Sequence, residues 1–192
     1  MYAVRLHGRG GQGVVTTAEL LAVAAFTEGV YAQAFPTFGS ERTGAPVAAF
    51  CRLDDRPIRT HEPITQPDAL IVADVSLFGQ VDLLGGLRRP GIVVVNTAAP
   101  ASTLPAMPRD AVLVEVDATG IARRRVGRPV PGCALLGAFA AATGQVGLTA
   151  LIEAIELRFR GAVGRGNAEA AQEAYEVVVA GRDRGLAHVQ AD

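Results

Sequence analysis

The chain of 192 residues has no lysine and no tryptophan, only two cysteines, and no apolar run long enough to cross a bilayer. All 18 basic residues are arginine. That excludes a Walker phosphate loop, which closes on a lysine, and any lysine Schiff base with pyridoxal phosphate or a carbonyl substrate. Cys51 and Cys133 stand far apart and outside any C-x-x-C spacing. The chain alone therefore builds neither a disulfide framework nor a four-thiolate iron–sulfur site, and each cysteine reads as a small buried apolar residue. His7, His61 and His188 show no ligand spacing, so no metal site is expected. Aromatic residues make up only 5%, and the formal net charge is −1, which argues against base-stacking platforms and against any general attraction to nucleic acid. The longest apolar stretches, near 69–73 and 134–142, fall short of the roughly 20 residues of a membrane span. The N-terminus has no charged segment leading into an apolar one, so it is unlike a secretion signal, and a cytoplasmic location is expected.

Hydrophobic residues reach 49% and charged ones only 19%. A core of this size fills one domain over 1–192, with a tail from about 182 expected to fray, and leaves apolar surface for partners. An obligate subunit is expected. Apolar periodicity gives strands at 2–7, 31–35, 46–53, 69–73, 92–96 and 112–116, with helices at 12–29 and near 75–86. The strand at 46–53 suits an antiparallel place beside a loop at 36–46. Continuous Val and Ile runs such as Ile92-Val-Val-Val-Asn96 suit strands covered on both faces. From 118 onward the pattern is helical, at 118–127, 133–144, 148–160 and 167–181, with glycine-rich separators that include 161–166. Thr149 is the expected cap of the third of these helices, whose core-facing residues are Leu151, Ile152, Ile155 and Phe159. Strands alternating with helices predict an α/β fold: a doubly wound, mostly parallel, Rossmann-like sheet with helices on both faces and a helical C-terminal part.

The first strand runs into Gly8-Arg9-Gly10-Gly11-Gln12-Gly13, with glycines 8, 10 and 13 at G-x-G-x-x-G spacing and a helix directly after. Such a turn exposes backbone N–H groups at the positive end of the helix, where a phosphate or pyrophosphate can be held. The same spacing also serves plain close packing of helix on sheet. A dinucleotide site would add a carboxylate at the end of the second strand. Here that strand ends in Pro36, Thr37 and Phe38.

The other unusual segment is Phe35-Pro-Thr-Phe-Gly-Ser-Glu-Arg-Thr-Gly-Ala-Pro46, whose aromatics, glycines and prolines suit a stiff binding loop. Alternatively it is a structural crossover in which Glu41 and Arg42 pair with each other. Together with the glycine turn, Gln66-Pro67-Asp68 and Ala134-Leu-Leu-Gly-Ala-Phe139, it resembles the gamma subunit of 2-oxoacid:ferredoxin oxidoreductases, the pyruvate branch above all, over about residues 3–180. The chain departs from many members at Pro131-Gly-Cys-Ala134, where they carry an Asn and a Met or Thr.

The resemblance implies a multi-subunit enzyme that turns a 2-oxoacid and coenzyme A into an acyl-CoA and CO₂. Thiamine diphosphate, Mg and [4Fe-4S] clusters would sit on alpha, beta and delta-type partner subunits, and ferredoxin would accept the electrons. None of these groups is expected on this chain alone, and no catalytic residue is expected in it. Its implied role is to help form the coenzyme A site, through Gly8, Arg9, Gly10, Gly11, Gln12, Gly13, Phe38, Gly39, Glu41 and Arg42, and to pack against the alpha subunit. Glu41 would orient an arginine. The run Arg123-Arg124-Arg125 reads as a solvated helix face, although it is also long enough to reach the 3′-phosphate. Two alternatives stand beside this reading: a stand-alone NAD-binding dehydrogenase, and a purely structural assembly subunit whose glycine turn has lost its ligand.

Overall fold

The computed structural model of the chain describes residues 1–37, 43–99, 101–183 and 188–189. Seven strands, β1 (Tyr2–Arg9), β2 (Tyr31–Pro36), β3 (Pro46–Asp54), β4 (Ala69–Val72), β5 (Ile92–Asn96), β6 (Val112–Val116) and β7 (His188–Val189), form one sheet in the order β2-β3-β1-β4-β5-β6-β7. The central strands β1, β4, β5 and β6 run parallel, in registers such as Leu6 opposite Ile71 and Val94 opposite Val114. β3 lies antiparallel between β1 and β2, as its place beside the loop suggested, and β7 pairs antiparallel with β6 at the far edge. All four residues of β4 are buried, as expected of a strand covered on both sides.

The two faces are covered unequally. Alternate residues Val4, Leu6, Ile71, Val94 and Val114 face a layer of α-helices: α1 (Val14–Thr27), α2 (Ala118–Val126), α3 (Gly132–Thr143), α4 (Leu148–Arg158) and α5 (Gly161–Asp183). On the other face Leu70, Val72, Val93, Val95 and Leu113 pack under Leu77, Leu83 and Leu87. That cover is a 3-10 helix, Val75–Gly79, and the irregular chain after it, where the sequence suggested a longer helix over 75–86.

Helix α3 is buried from Gly132 to Ala142, which explains a sequence apolar on every side. It crosses α5 at backbone contact: a Cβ on Gly137 would lie 1.9 Å from the Ala171 carbonyl oxygen. The same logic corrects the expected break at 161–166, because α5 begins at Gly161. A Cβ on Gly164 would lie 2.0 Å from the Phe159 oxygen, and one on Gly166 would lie 2.5 Å from the Arg125 oxygen. These glycines admit neighbouring backbone; they do not end a helix. Thr149 is not a cap either, since α4 starts after Gly147 with no side-chain cap of its own. The Gly147 N–H donates instead to both carboxylate oxygens of Glu28, at 3.0 and 3.1 Å.

Candidate functional site

The chain leaves β1 toward β2 on one side of the sheet, while β4, β5 and β6 step away on the other. The carboxyl ends of β1 and β4 therefore flank the point where the winding changes direction, which is where open α/β sheets bind ligands. The glycine turn stands on that spot. Gly8 still belongs to β1, and a Cβ there would lie 2.5 Å from Val14 Cγ2 and 2.9 Å from Gln12 Oε1. Its missing side chain lets helix α1 close onto the sheet. Gly11 and Gly13 differ, with φ of 95° and 75°, values that favour glycine, and a Cβ on Gly11 would meet nothing within 4 Å.

Side chains fix the turn from within. The Arg9 N–H donates to Gln12 Oε1 at 2.7 Å, and Gln12 Nε2 donates to Asp74 Oδ2 at 3.2 Å. Arg9 Nε reaches the same Asp74 oxygen at 3.2 Å, Nη1 the Gly44 carbonyl at 2.9 Å, and Nη2 Ser76 Oγ at 2.6 Å. Arg9 thus ties the turn both to the end of β4 and to the returning segment at 43–45. Gly10 is bound to that segment too, its N–H donating to the Ala45 oxygen and its oxygen accepting from the Gly44 N–H. Burial opposes ionisation of Asp74, but hydrogen bonds from the Ser76 hydroxyl and N–H and from Gln12, together with the Arg9 charge, hold its pKa below the usual range. Neither Asp74 nor Ser76 was singled out in the sequence. The available signal was Asp-x-Ser directly after a buried strand at the switch point.

Past the turn, α1 begins at Gly13 with no side-chain cap and no acidic residue in its first turn. The backbone N–H groups of Gly11, Gly13, Val14, Val15 and Thr16 have no acceptor among the described residues. Gly11, Gly13 and Thr16 of this run border a cleft of about 300 Å³, whose far wall comes from the chain between α2 and α3, including Arg128 and Val130, and from Phe159, Val163 and Asn167 near the start of α5. No Asp or Glu lines it among the described residues. Cys133 does, but burial pushes its thiol up to about 12, so it offers no thiolate at neutral pH. Unsatisfied N–H groups, a helix dipole and an arginine without an ion pair among the described residues are groups that can hold an anion.

His7 and Arg5 extend from β1 on the sheet face opposite the α-helices. Arg5 Nη2 donates to the carbonyls of Leu83 and Gly85 at 2.7 and 2.8 Å. Burial, and then the Arg5 charge, push the His7 imidazole down to about 4, so it is neutral at pH 7. Arg124 and Arg125 each meet the Glu173 carboxylate at 2.6 Å, so these two arginines brace α2 on α5. Phe38, Gly39, Glu41 and Arg42 lie outside the described residues.

The order of the sheet also bears on the dehydrogenase alternative. In a dinucleotide fold the second strand lies beside the first and delivers its carboxylate next to the glycine turn. Here β3 separates β2 from β1, and β2 ends at Pro36.

The family model for pyruvate ferredoxin/flavodoxin oxidoreductase matches residues 3–177. The chain is 51% identical over 180 residues to the pyruvate/ketoisovalerate oxidoreductases common subunit gamma of Pyrococcus furiosus, an alignment that covers 92% of this chain and 96% of that one. It is 48% identical over 176 residues to a pyruvate synthase subunit PorC of Methanothermobacter marburgensis, covering 92% and 97%. Among solved structures, the pyruvate oxidoreductase subunit PORC of Thermotoga maritima superposes with a TM-score of 0.81 at 36% identity, over 91% of this chain and 95% of that one. The chain belongs to the pyruvate ferredoxin/flavodoxin oxidoreductase family, as a gamma subunit of an oxidoreductase complex.

Proposed function

We propose that this gamma subunit holds coenzyme A for a thiamine diphosphate-dependent 2-oxoacid oxidoreductase, in which partner subunits perform decarboxylation and pass electrons through iron–sulfur clusters to ferredoxin. Thiamine diphosphate and magnesium belong on alpha and beta partners and the clusters on those or a delta-type chain. Among the described residues no three His, Cys, Asp or Glu side chains come together to hold a metal. The observation that carries the coenzyme A reading is the open start of α1: a run of backbone N–H groups without acceptors, at the switch point of the sheet, beside a cleft with no acidic lining among the described residues. Coenzyme A brings a pyrophosphate to such a site, and arginine suits its phosphates by bidentate geometry. The apolar strip of Val23, Phe26 and Leu157 on α1 and α4, with Phe26 72% and Leu157 77% exposed, is the surface we assign to the alpha subunit.

Gly11→Val in the assembled enzyme tests the reading. A branched side chain at φ 95° strains the turn and screens its N–H groups, while Gly11 has open space around it, so the core is undisturbed. The KM for coenzyme A is expected to rise tenfold or more, since a charge-assisted phosphate contact contributes about 1.5–3 kcal/mol. Arg42→Lys, which keeps the charge and loses the fork, is expected to act in the same direction more gently. Wild-type coenzyme A kinetics in both variants would reassign the two segments to subunit packing and favour the assembly-only alternative.

A further inference from the structure

Two glycine-bearing segments meet at the carboxyl end of β1: the turn at 8–13 and the returning chain at 43–45. Neither fixes its own shape, because Gly11, Gly13 and Gly44 take φ of 95°, 75° and 82°, and glycine loses more conformational freedom on folding than any other residue. Two backbone hydrogen bonds join the segments among the described residues, from the Gly10 N–H to the Ala45 oxygen at 2.9 Å and from the Gly44 N–H to the Gly10 oxygen at 3.0 Å.

Asp74 stands on firmer ground. The residue before it, Ala73, donates its N–H to the His7 carbonyl at 2.8 Å and accepts from Asn96 Nδ2 at 2.8 Å, so the chain is held from β1 and β5 at once. A carboxylate only accepts, and this one takes four donors. The Ser76 N–H and hydroxyl meet Oδ1, while Arg9 Nε and Gln12 Nε2 meet Oδ2, both at 3.2 Å. Arg9 Nη2 donates to the same Ser76 hydroxyl at 2.6 Å, so Arg9, Ser76 and Asp74 close a ring that fixes the plane of the guanidinium. The third nitrogen, Nη1, is thereby carried to the Gly44 carbonyl at 2.9 Å. Gln12 is held at both ends of its amide, since its Oε1 accepts from the Arg9 N–H at 2.7 Å.

This arrangement bears on Arg9, which was expected to touch coenzyme A itself. Each of its three guanidinium nitrogens already has an acceptor, and its side chain is only 23% exposed. We infer that Asp74 is a positioning residue of the coenzyme A site: through Arg9 it holds the segment at 43–45, through Gln12 it holds the glycine turn, and neither Asp74 nor Arg9 touches the ligand. The inference rests on the coenzyme A reading and changes the part that Arg9 plays in it.

The test uses the purified complex. Asp74→Ala is expected to raise the KM for coenzyme A about tenfold and to change kcat at saturating coenzyme A by less than about twofold, because the chemistry lies elsewhere and only the placing of two segments is lost. Backbone hydrogen exchange over 8–13 and 43–45 should quicken in the same variant, a readout that needs no ligand. Arg9→Ala should do the same, and the double variant should do no more than either single one, since both act through one ring. A phosphate ligand held back by Asp74 would behave otherwise: Asp74→Ala would free the guanidinium and lower the KM, Arg9→Ala would raise it, and the inference would be overturned. Asp74→Asn leaves one acceptor oxygen for four donors, so a rise of about threefold is expected, and it decides the matter should Asp74→Ala fail to assemble. An unchanged KM in the assembled Asp74 variants, with Gly11→Val still raising it, would reduce the ring to a brace for the fold. A failure of the wider reading looks different, because Gly11→Val and the Asp74 variants would then all leave the KM for coenzyme A unmoved.

Discussion

The helices of this subunit begin in two contrasting ways. Where α2 starts, the Asp117 carboxylate accepts from the Gly120 N–H at 2.8 Å, and the 3-10 helix after β4 is closed by Asp74, which accepts from the Ser76 N–H at 3.0 Å. Helix α4 has no cap of its own, yet Glu28, 119 residues earlier, supplies a carboxylate to it. By contrast α1 and α3 begin at Gly13 and Pro131 with no side-chain cap and no acidic first turn, and both of these starts border the cleft. A carboxylate at either would stabilise the helix by about 0.3–1 kcal/mol through the dipole, and would repel a phosphate from the same N–H groups. On the proposed coenzyme A reading, closed starts serve the fold and open ones serve a ligand, a division that substitutions can test at each helix.

Thr16→Glu should break the comparison most strongly, because it gives α1 the acidic first turn it lacks. Thr16 is half-buried at the cleft, so the new carboxylate falls where the phosphate would lie. Two effects of opposite sign are expected: the chain melts at a slightly higher temperature, by up to about 1 kcal/mol, while the KM for coenzyme A in the complex rises tenfold or more. A rise in both stability and coenzyme A affinity would show that the open start is merely an uncapped helix. Asp117→Ala is the reverse experiment. It should cost about 1 kcal/mol of stability by losing a cap, and leave coenzyme A kinetics unchanged, as thermal unfolding and steady-state assays would report.

Much of this division was legible in the sequence, and the parts that were not share one cause. Continuous β-branched runs placed β5 and β6, and the glycine turn placed the start of α1, because local pattern decides those elements. Glycine was ambiguous further on. At Gly127 and Gly144 it takes the left-handed conformation that ends α2 and α3, whereas Gly164 lies inside a helix to admit the Phe159 carbonyl, and composition does not distinguish the two uses. The cap of α4 was assigned to Thr149 from local spacing, but the carboxylate that meets Gly147 comes from Glu28. The site follows the same rule. Its glycines were visible at once, while Asp74, which holds Arg9 across 65 residues, and Asn167, which lines the cleft, arrive through topology alone.

Glu28→Ala sharpens the comparison at the long-range cap. The substitution leaves the Gly147 N–H to water, so a loss of about 0.5 kcal/mol is expected, less than for Asp117→Ala because the donor remains solvated. Thermal unfolding of the two variants side by side gives the ranking, and a larger loss for Glu28→Ala would mean that the tie between α1 and α4 matters more than the cap itself.

The smallest expected effect is a change of slope with pH, and it concerns the one cap that also faces the site. Asp74 closes the 3-10 helix and holds Arg9 and Gln12, and its pKa in the folded chain lies below the usual value near 3.9. A carboxyl depressed by folding contributes stability that is fully present above its unfolded pKa and is lost as pH falls through the folded one. The wild-type chain should therefore lose stability below about pH 4 more steeply than Asp74→Asn, which keeps the shape and cannot titrate. Because every other carboxyl is shared by the two proteins, the difference between their unfolding curves from pH 6 to pH 2.5 isolates this group. Parallel curves would show that Ser76, Gln12 and Arg9 hold Asp74 no better than water does, and the Arg9 anchor of the glycine turn would then have to rest on its bonds to the Gly44 carbonyl and to Ser76 Oγ.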